Sequence, residues 1–156
     1  TERLRKADIR GVAGIEKLHD AFWRCGLLRD LVLADLPDLT LIRDNFAAEC
    51  RSLVSLELES LSALQAIGST FGADCLSLSK VRIRAVPHLS TIADGFLRQA
   101  KHLTSLEVDA PQLWSIGPSF VIGSAALRRL DLTRSPKLAR SRGVRPGLRR
   151  QRVCAP

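Results

Sequence analysis

Apolar residues recur along this chain in one long register. Leu53, Leu56, Leu58, Leu61, Leu64, Ile67, Phe71, Cys75 and Leu78 follow one another at spacings of 3, 2, 3, 3, 3, 4, 4 and 3. The same spacings run from Leu28 through Leu31, Leu33, Leu36, Leu39, Ile42, Phe46 and Cys50 to Leu53. They run again from Leu78 through Val81, Ile83, Val86, Leu89, Ile92, Phe96 and Ala100 to Leu103. A self-similar period of this size is the mark of a solenoid, in which each unit buries its apolar face only by stacking on its neighbours. Units start near Leu4, Leu28, Leu53, Leu78, Leu103 and Leu127. The first is one residue short between Phe22 and Cys25, and the fifth is one short between Val108 and Leu113. The sixth unit reaches Leu138 and then loses the period, with Ser141 where Ile is due.

Each unit opens L-x-x-L-x-L, and the alternation of the last two apolar positions predicts a short strand with one buried face. A full coil separates successive strands, so they stack in parallel into one curved sheet. The triplet spacing that follows suits turns, 3₁₀ or extended segments on the return side. The stretch from Asp44 to Cys50, with Phe46 inward, is expected to make about one helical turn per coil. Gly68 and Gly117 are expected where a turn needs a positive φ. Pro37, Pro87, Pro111 and Pro136 fall between strand and return side, where no ladder donor is needed. The expected fold is an α/β leucine-rich-repeat solenoid over residues 1–138, with the parallel sheet on its concave side.

The unit L-x-x-L-x-L-x-x-L-x-x-L-x-x-I-G-x-x-F-x-x-x-C-x-x-L, carried by Ile67-Gly68, Phe71, Cys75 and Leu78 and again by Ile116-Gly117 and Phe120, resembles the BspA-type (Treponema pallidum-type) leucine-rich repeat. It looks most like the longer-period variants in protist, including trypanosomatid, surface-antigen-like proteins. Arg43 and Ala93 depart from it at the Gly position, and Ala100 and Ser124 at the Cys position. The resemblance implies a cell-surface or secreted protein, used for adhesion or recognition, of which this chain is a fragment. A looser similarity, through C-x-x-L-x-x-L-x-L, is to the repeats of F-box-type ubiquitin-ligase receptors, and implies an intracellular scaffold or substrate receptor.

Charge changes this picture little. The net +8 at pH 7 is confined to one end. Residues 1–126 carry 14 Lys and Arg against 15 Asp and Glu, and residues 127–156 carry 10 against 1. The stretch 139–156 holds Arg140, Arg142, Arg145, Arg149, Arg150 and Arg152 without the Leu period, and reads as a disordered basic tail. Nucleic acid or anionic lipid is the partner class such a tail suggests; a solvated terminus and non-native sequence are the competing readings, and the abrupt loss of the repeat favours the second. No apolar run is long enough to span a bilayer, no basic-then-apolar leader follows Thr1, and the lone Asn45 is not in a glycosylation sequon.

Candidate chemistry lies on the exposed strand positions, which line the face that solenoids use for binding. One file reads Asp8, Val32, Glu57, Arg82, Glu107, Asp131, and the next Arg10, Ala34, Glu59, Arg84, Asp109, Thr133. Units three to five therefore present acid, base, acid twice. Glu57, Glu59, Arg82, Arg84, Glu107 and Asp109 are the binding candidates. The favoured reading of the same residues is as cross-strand ion pairs that keep a polar sheet in register, Glu57–Arg82–Glu107 and Glu59–Arg84–Asp109, and one set of residues can serve both purposes. Cys25, Cys50 and Cys75 share one position and stack about 5 Å apart, as buried thiols or as a disulfide. Ala100 and Ser124 in the same slot favour a small buried side chain. His19, His88 and His102 share no spacing, Trp23 and Trp114 read as partly packed loop aromatics, and no catalytic, nucleotide or metal motif occurs. The reading is a non-enzymatic module that binds a protein ligand, with no cofactor or metal.

Overall fold

The computed structural model describes residues 3–132 and 134–138; Thr133 and the Arg-rich tail expected over 139–156 lie outside them. Six strands carry the L-x-L segments: β1 (Lys6–Arg10), β3 (Asp30–Ala34), β5 (Ser55–Glu59), β7 (Lys80–Arg84), β9 (Ser105–Val108) and β11 (Arg129–Asp131). Five two-residue strands lie on the return side: β2 (Lys17–Leu18), β4 (Leu41–Ile42), β6 (Ala66–Ile67), β8 (Thr91–Ile92) and β10 (Ser115–Ile116). The long strands form one parallel sheet in the order β1-β3-β5-β7-β9-β11, and the short ones a second, β10-β8-β6-β4-β2. Pairing follows the repeat residue for residue, with Leu31 beside Leu56 and Leu56 beside Val81. The chain is thus a parallel β-solenoid of about five coils.

The return side corrects the expectation. No α-helix forms among the described residues, and Asp44 to Glu49 is a run of turns. Asn45, Ala47 and Glu49 all have positive φ, at 60, 53 and 58°. Alternate residues in the left-handed region cannot continue a right-handed helix. The backbone bonds outward instead, to the coils on either side: Asn45 N–H to Ser69 O at 3.0 Å, Ala47 N–H to Ala21 O at 3.1 Å, Glu49 N–H to Ala73 O at 2.8 Å. The next coil repeats the pattern at Thr70, Gly72 and Asp74. Stacking on neighbours therefore overrides a local helical spacing.

Leucine, isoleucine and valine from both sheets fill the space between them, and a file of phenylalanines closes the third side. Phe46, Phe71, Phe96 and Phe120 stack with centroids 5.5, 5.2 and 5.2 Å apart and planes within 11° of parallel. Phe22 meets Phe46 edge-on at 5.8 Å. Each such ring pair contributes about 0.5–1.5 kcal/mol beyond its area burial.

Gly68 and Gly117 are required for a different reason from the one expected. Neither has positive φ. A Cβ at Gly68 would lie 2.7 Å from Arg43 C and Asp44 N, and one at Gly117 would lie 2.5 Å from Asp94 N. The preceding coil's backbone passes too close for any side chain, while Asp44 and Asp94 accept from the Ser69 and Ser119 N–H groups at 2.7 and 2.8 Å.

The turn that ends β1, β3, β5 and β7 does need positive φ. Gly11, Asp35, Ser60 and Ala85 occupy it at 64, 51, 53 and 52°. Ala85 is exposed, so its methyl adds strain there without packing. Ala85→Gly should stabilise the chain by up to about 1 kcal/mol, and the β-branched Ala85→Val should destabilise it. Chemical denaturation of the three proteins reads both; a loss of stability in Ala85→Gly would show that the left-handed turn is not strained.

Candidate functional site

The outer face of the long-strand sheet brings the six candidate residues together, with one of the expected ion pairs and two others that differ. Glu57 and Arg82 are neighbours across β5 and β7, with Arg82 Nη1 3.6 Å from Glu57 Oε1. Arg84 pairs with neither Glu59 nor Asp109 within ion-pair distance. Its guanidinium donates Nε–H to Glu107 Oε1 and Nη2–H to Glu107 Oε2, both at 2.9 Å. Asp109 takes Arg134 instead, at 3.1 Å.

The residue missing from the fifth unit explains the change. The β7–β9 ladder ends at Ile83 beside Val108, so Arg84 has no strand partner in β9. The Asp109 N–H still bonds Ile83 O at 2.8 Å, but no further ladder pair follows and its carboxylate goes to Arg134. Arg84 then reaches the carboxylate one position back. The two-pronged geometry matches guanidinium to carboxylate. It holds the Glu107 carboxyl below its ordinary value of 4.5, chiefly through the hydrogen bonds from Arg84. The same bonds raise Arg84.

Glu59 is exposed and makes no ion pair among the described residues. Its charge acts on Arg84 and on Arg10. Arg10 itself is raised chiefly by its 2.6 Å hydrogen bond with Asp8. Val32 and Ala34, expected among the exposed strand positions, are buried. Their in-register neighbours are Asp8 and Arg10 on β1 and Glu57 and Glu59 on β5. A small side chain set between longer ones keeps little surface of its own. The face is therefore acidic and basic on either side of a short apolar strip.

Cys25, Cys50 and Cys75 are free thiols. Cys50 Sγ donates to Phe22 O at 2.8 Å, and Cys75 Sγ to Ala47 O at 3.1 Å. Ser124 Oγ repeats this to Leu97 O at 3.4 Å. The acceptors Phe22, Ala47 and Leu97 all have positive φ. The slot thus takes a small side chain, and three of its occupants also donate from it. Burial raises Cys25, and bonding with Cys50 together with burial raises Cys75, which keeps that thiol protonated and unreactive.

His88 and His102 hold carbonyls of the preceding coil through Nδ1, Ser62 O at 2.8 Å and Leu76 O at 2.6 Å. Arg24 lies 4.5 Å over the Trp23 ring and pairs with Glu49 at 2.9 Å. Among the described residues no group of three His, Cys, Asp or Glu is placed to hold a metal ion, and no helix is long and apolar enough to cross a membrane. Sequence reasoning passed over a groove of 590 Å³ lined by Pro87, His88, Ser90, Pro111, Gln112, Trp114 and Lys137. Its one sequence signal was an aromatic at a repeat position otherwise held by small or polar residues.

The Arg84–Glu107 bond carries a pH signature. A carboxyl lowered on folding contributes stability that is present above its ordinary value of 4.5 and is lost as pH falls through the lowered one. Glu107→Gln should therefore be less stable than the parent at neutral pH, and the two should converge on acidification. Denaturation midpoints at pH 7 and pH 3 measure this; a gap that persisted unchanged at pH 3 would rule out the ionic contribution.

No family model matches the chain, and no curated protein or solved structure matches it either.

Proposed function

We propose that the chain is a non-enzymatic module that binds a protein partner through the outer face of the long-strand sheet, around Glu57, Glu59, Arg82, Arg84, Glu107 and Asp109. One observation carries this reading. Five of the six charges stand on three adjacent strands whose backbone is fixed by the ladder, Asp109 follows directly after the third, and the exposed Glu59 makes no ion pair among the described residues. Side chains already ordered by mutual contacts lose little freedom when a partner arrives. Complementary charge would set orientation and choice of partner more than raw affinity. The adjoining buried Val32 and Ala34 leave a low strip between charges, a surface relief a partner side chain can fill.

Adhesion or recognition, as part of a surface or secreted protein, is the setting we infer from the resemblance of the repeat. The rival is an intracellular scaffold or substrate receptor. Protease shaving of intact source cells, followed by mass spectrometry, separates them: peptides from the repeats should be released without lysis. Their appearance only after lysis would move the protein inside the cell.

The site itself is tested by charge reversal. Arg82→Glu with Arg84→Glu should weaken any partner recovered with the parent chain by about tenfold or more, chiefly through slower association and altered salt dependence. Unchanged binding by a folded double variant would remove the sheet face as the site.

A further inference from the structure

A second surface, apart from the sheet face, has its own chemistry. Glu16, Thr40, Gln65, Ser90 and Trp114 form one file across successive coils, joined by N–H to carbonyl bonds of 2.9, 2.9, 2.9 and 3.0 Å. Thr40 and Ser90 also turn their hydroxyls back onto the preceding coil, at 3.0 and 3.1 Å. Trp114 breaks the file. Its side chain is large where the others are small or polar, and it is 54% exposed, the most of any large apolar residue described. The indole N–H has no acceptor among the described residues.

Trp114 borders the groove, with Pro87 and Pro111 as further apolar walls. The next file over supplies His88, Gln112 and Lys137 from three consecutive coils, with Lys137 Nζ against the Gln112 amide oxygen. His88 is fixed through Nδ1 on Ser62 O, which leaves Nε2 directed away from that bond. No carboxylate lines the groove, so its one fixed charge is positive. Three coils at strand spacing of about 4.8 Å span roughly 10 Å, the reach of about three extended residues.

We propose that this groove is a docking site for an extended acidic peptide segment of a partner protein. An apolar side chain or proline ring of that segment packs on Trp114 between Pro87 and Pro111, and an Asp or Glu two or three residues away meets Lys137. Rigid aromatic and proline walls favour an extended chain that has little freedom left to lose. The lone cation without a neighbouring acid sets the sign of the partner. The volume is that of a small-ligand site, enough for a few residues. The claim stands apart from the sheet face, since none of its residues lies on the long strands.

Selection of a random eight-residue peptide library on the immobilised full chain tests the proposal. Retained peptides should share an apolar or proline residue spaced two or three positions from a carboxylate. Trp114→Ala should weaken them roughly thirtyfold and Lys137→Glu about tenfold, while Trp23→Ala, at the other exposed tryptophan, should bind as the parent does. Circular dichroism and thermal melting identify a variant that has lost its fold, in which case Lys137→Glu decides alone. Retained peptides with no excess of carboxylates, or with equal affinity for Trp114→Ala, would overturn the proposal. So would retention of no peptide at all.

Discussion

Everything in this molecule depends on one constraint: each coil must present its backbone to the next at a fixed strand spacing on every side. The long and short strands meet it with parallel ladders. The third side has no strand, and meets it by placing alternate residues in the left-handed region so that their N–H groups point along the stack. Among the described residues, thirteen other than glycine adopt positive φ there and at the strand ends, a conformation that is individually unfavourable. Cooperation between coils sustains it, since no buried backbone donor can be left without a partner.

The same constraint sorts the side chains. Any position repeated from coil to coil becomes a file of near-identical neighbours, so phenylalanines stack on phenylalanines and Gly68 and Gly117 admit no Cβ. The thiol slot is another case. Cys50, Cys75 and Ser124 each donate to the carbonyl of a left-handed residue in the coil before. The slot thereby caps the strained turn, and Ala100, which cannot donate, fills its place by size alone.

The repeat pattern made the two-faced strands, their parallel stacking and the inward residues legible, because period and apolarity are properties of residues taken singly. Leu31, Leu56 and Val81 lie in one ladder, as their spacing implies. What stayed illegible were properties of pairs of coils. The Asp44–Cys50 segment carries a helical spacing, yet its hydrogen bonds belong to neighbouring coils that no local window contains. The candidate charges were assigned to the correct face, but Arg84 was matched to Asp109 by counting. The missing residue after Val108 ends the ladder early and hands Arg84 to Glu107. Trp114 stood out only once the file of Glu16, Thr40, Gln65 and Ser90 could be seen beside it.

That single missing residue has a wider meaning. It falls at a corner, where the chain leaves the sheet, and Leu106, Val108 and Leu113 remain buried on either side of it. The interior and both ladders keep their register through the loss, while one guanidinium at the edge of the sheet takes a different carboxylate. A lineage of such arrays could re-pair its outer charges by trimming corners alone, with no substitution in the sheet and no disturbance of the core. Variation in unit length, usually treated as decay of a repeat, would then be a means of diversifying what the array recognises.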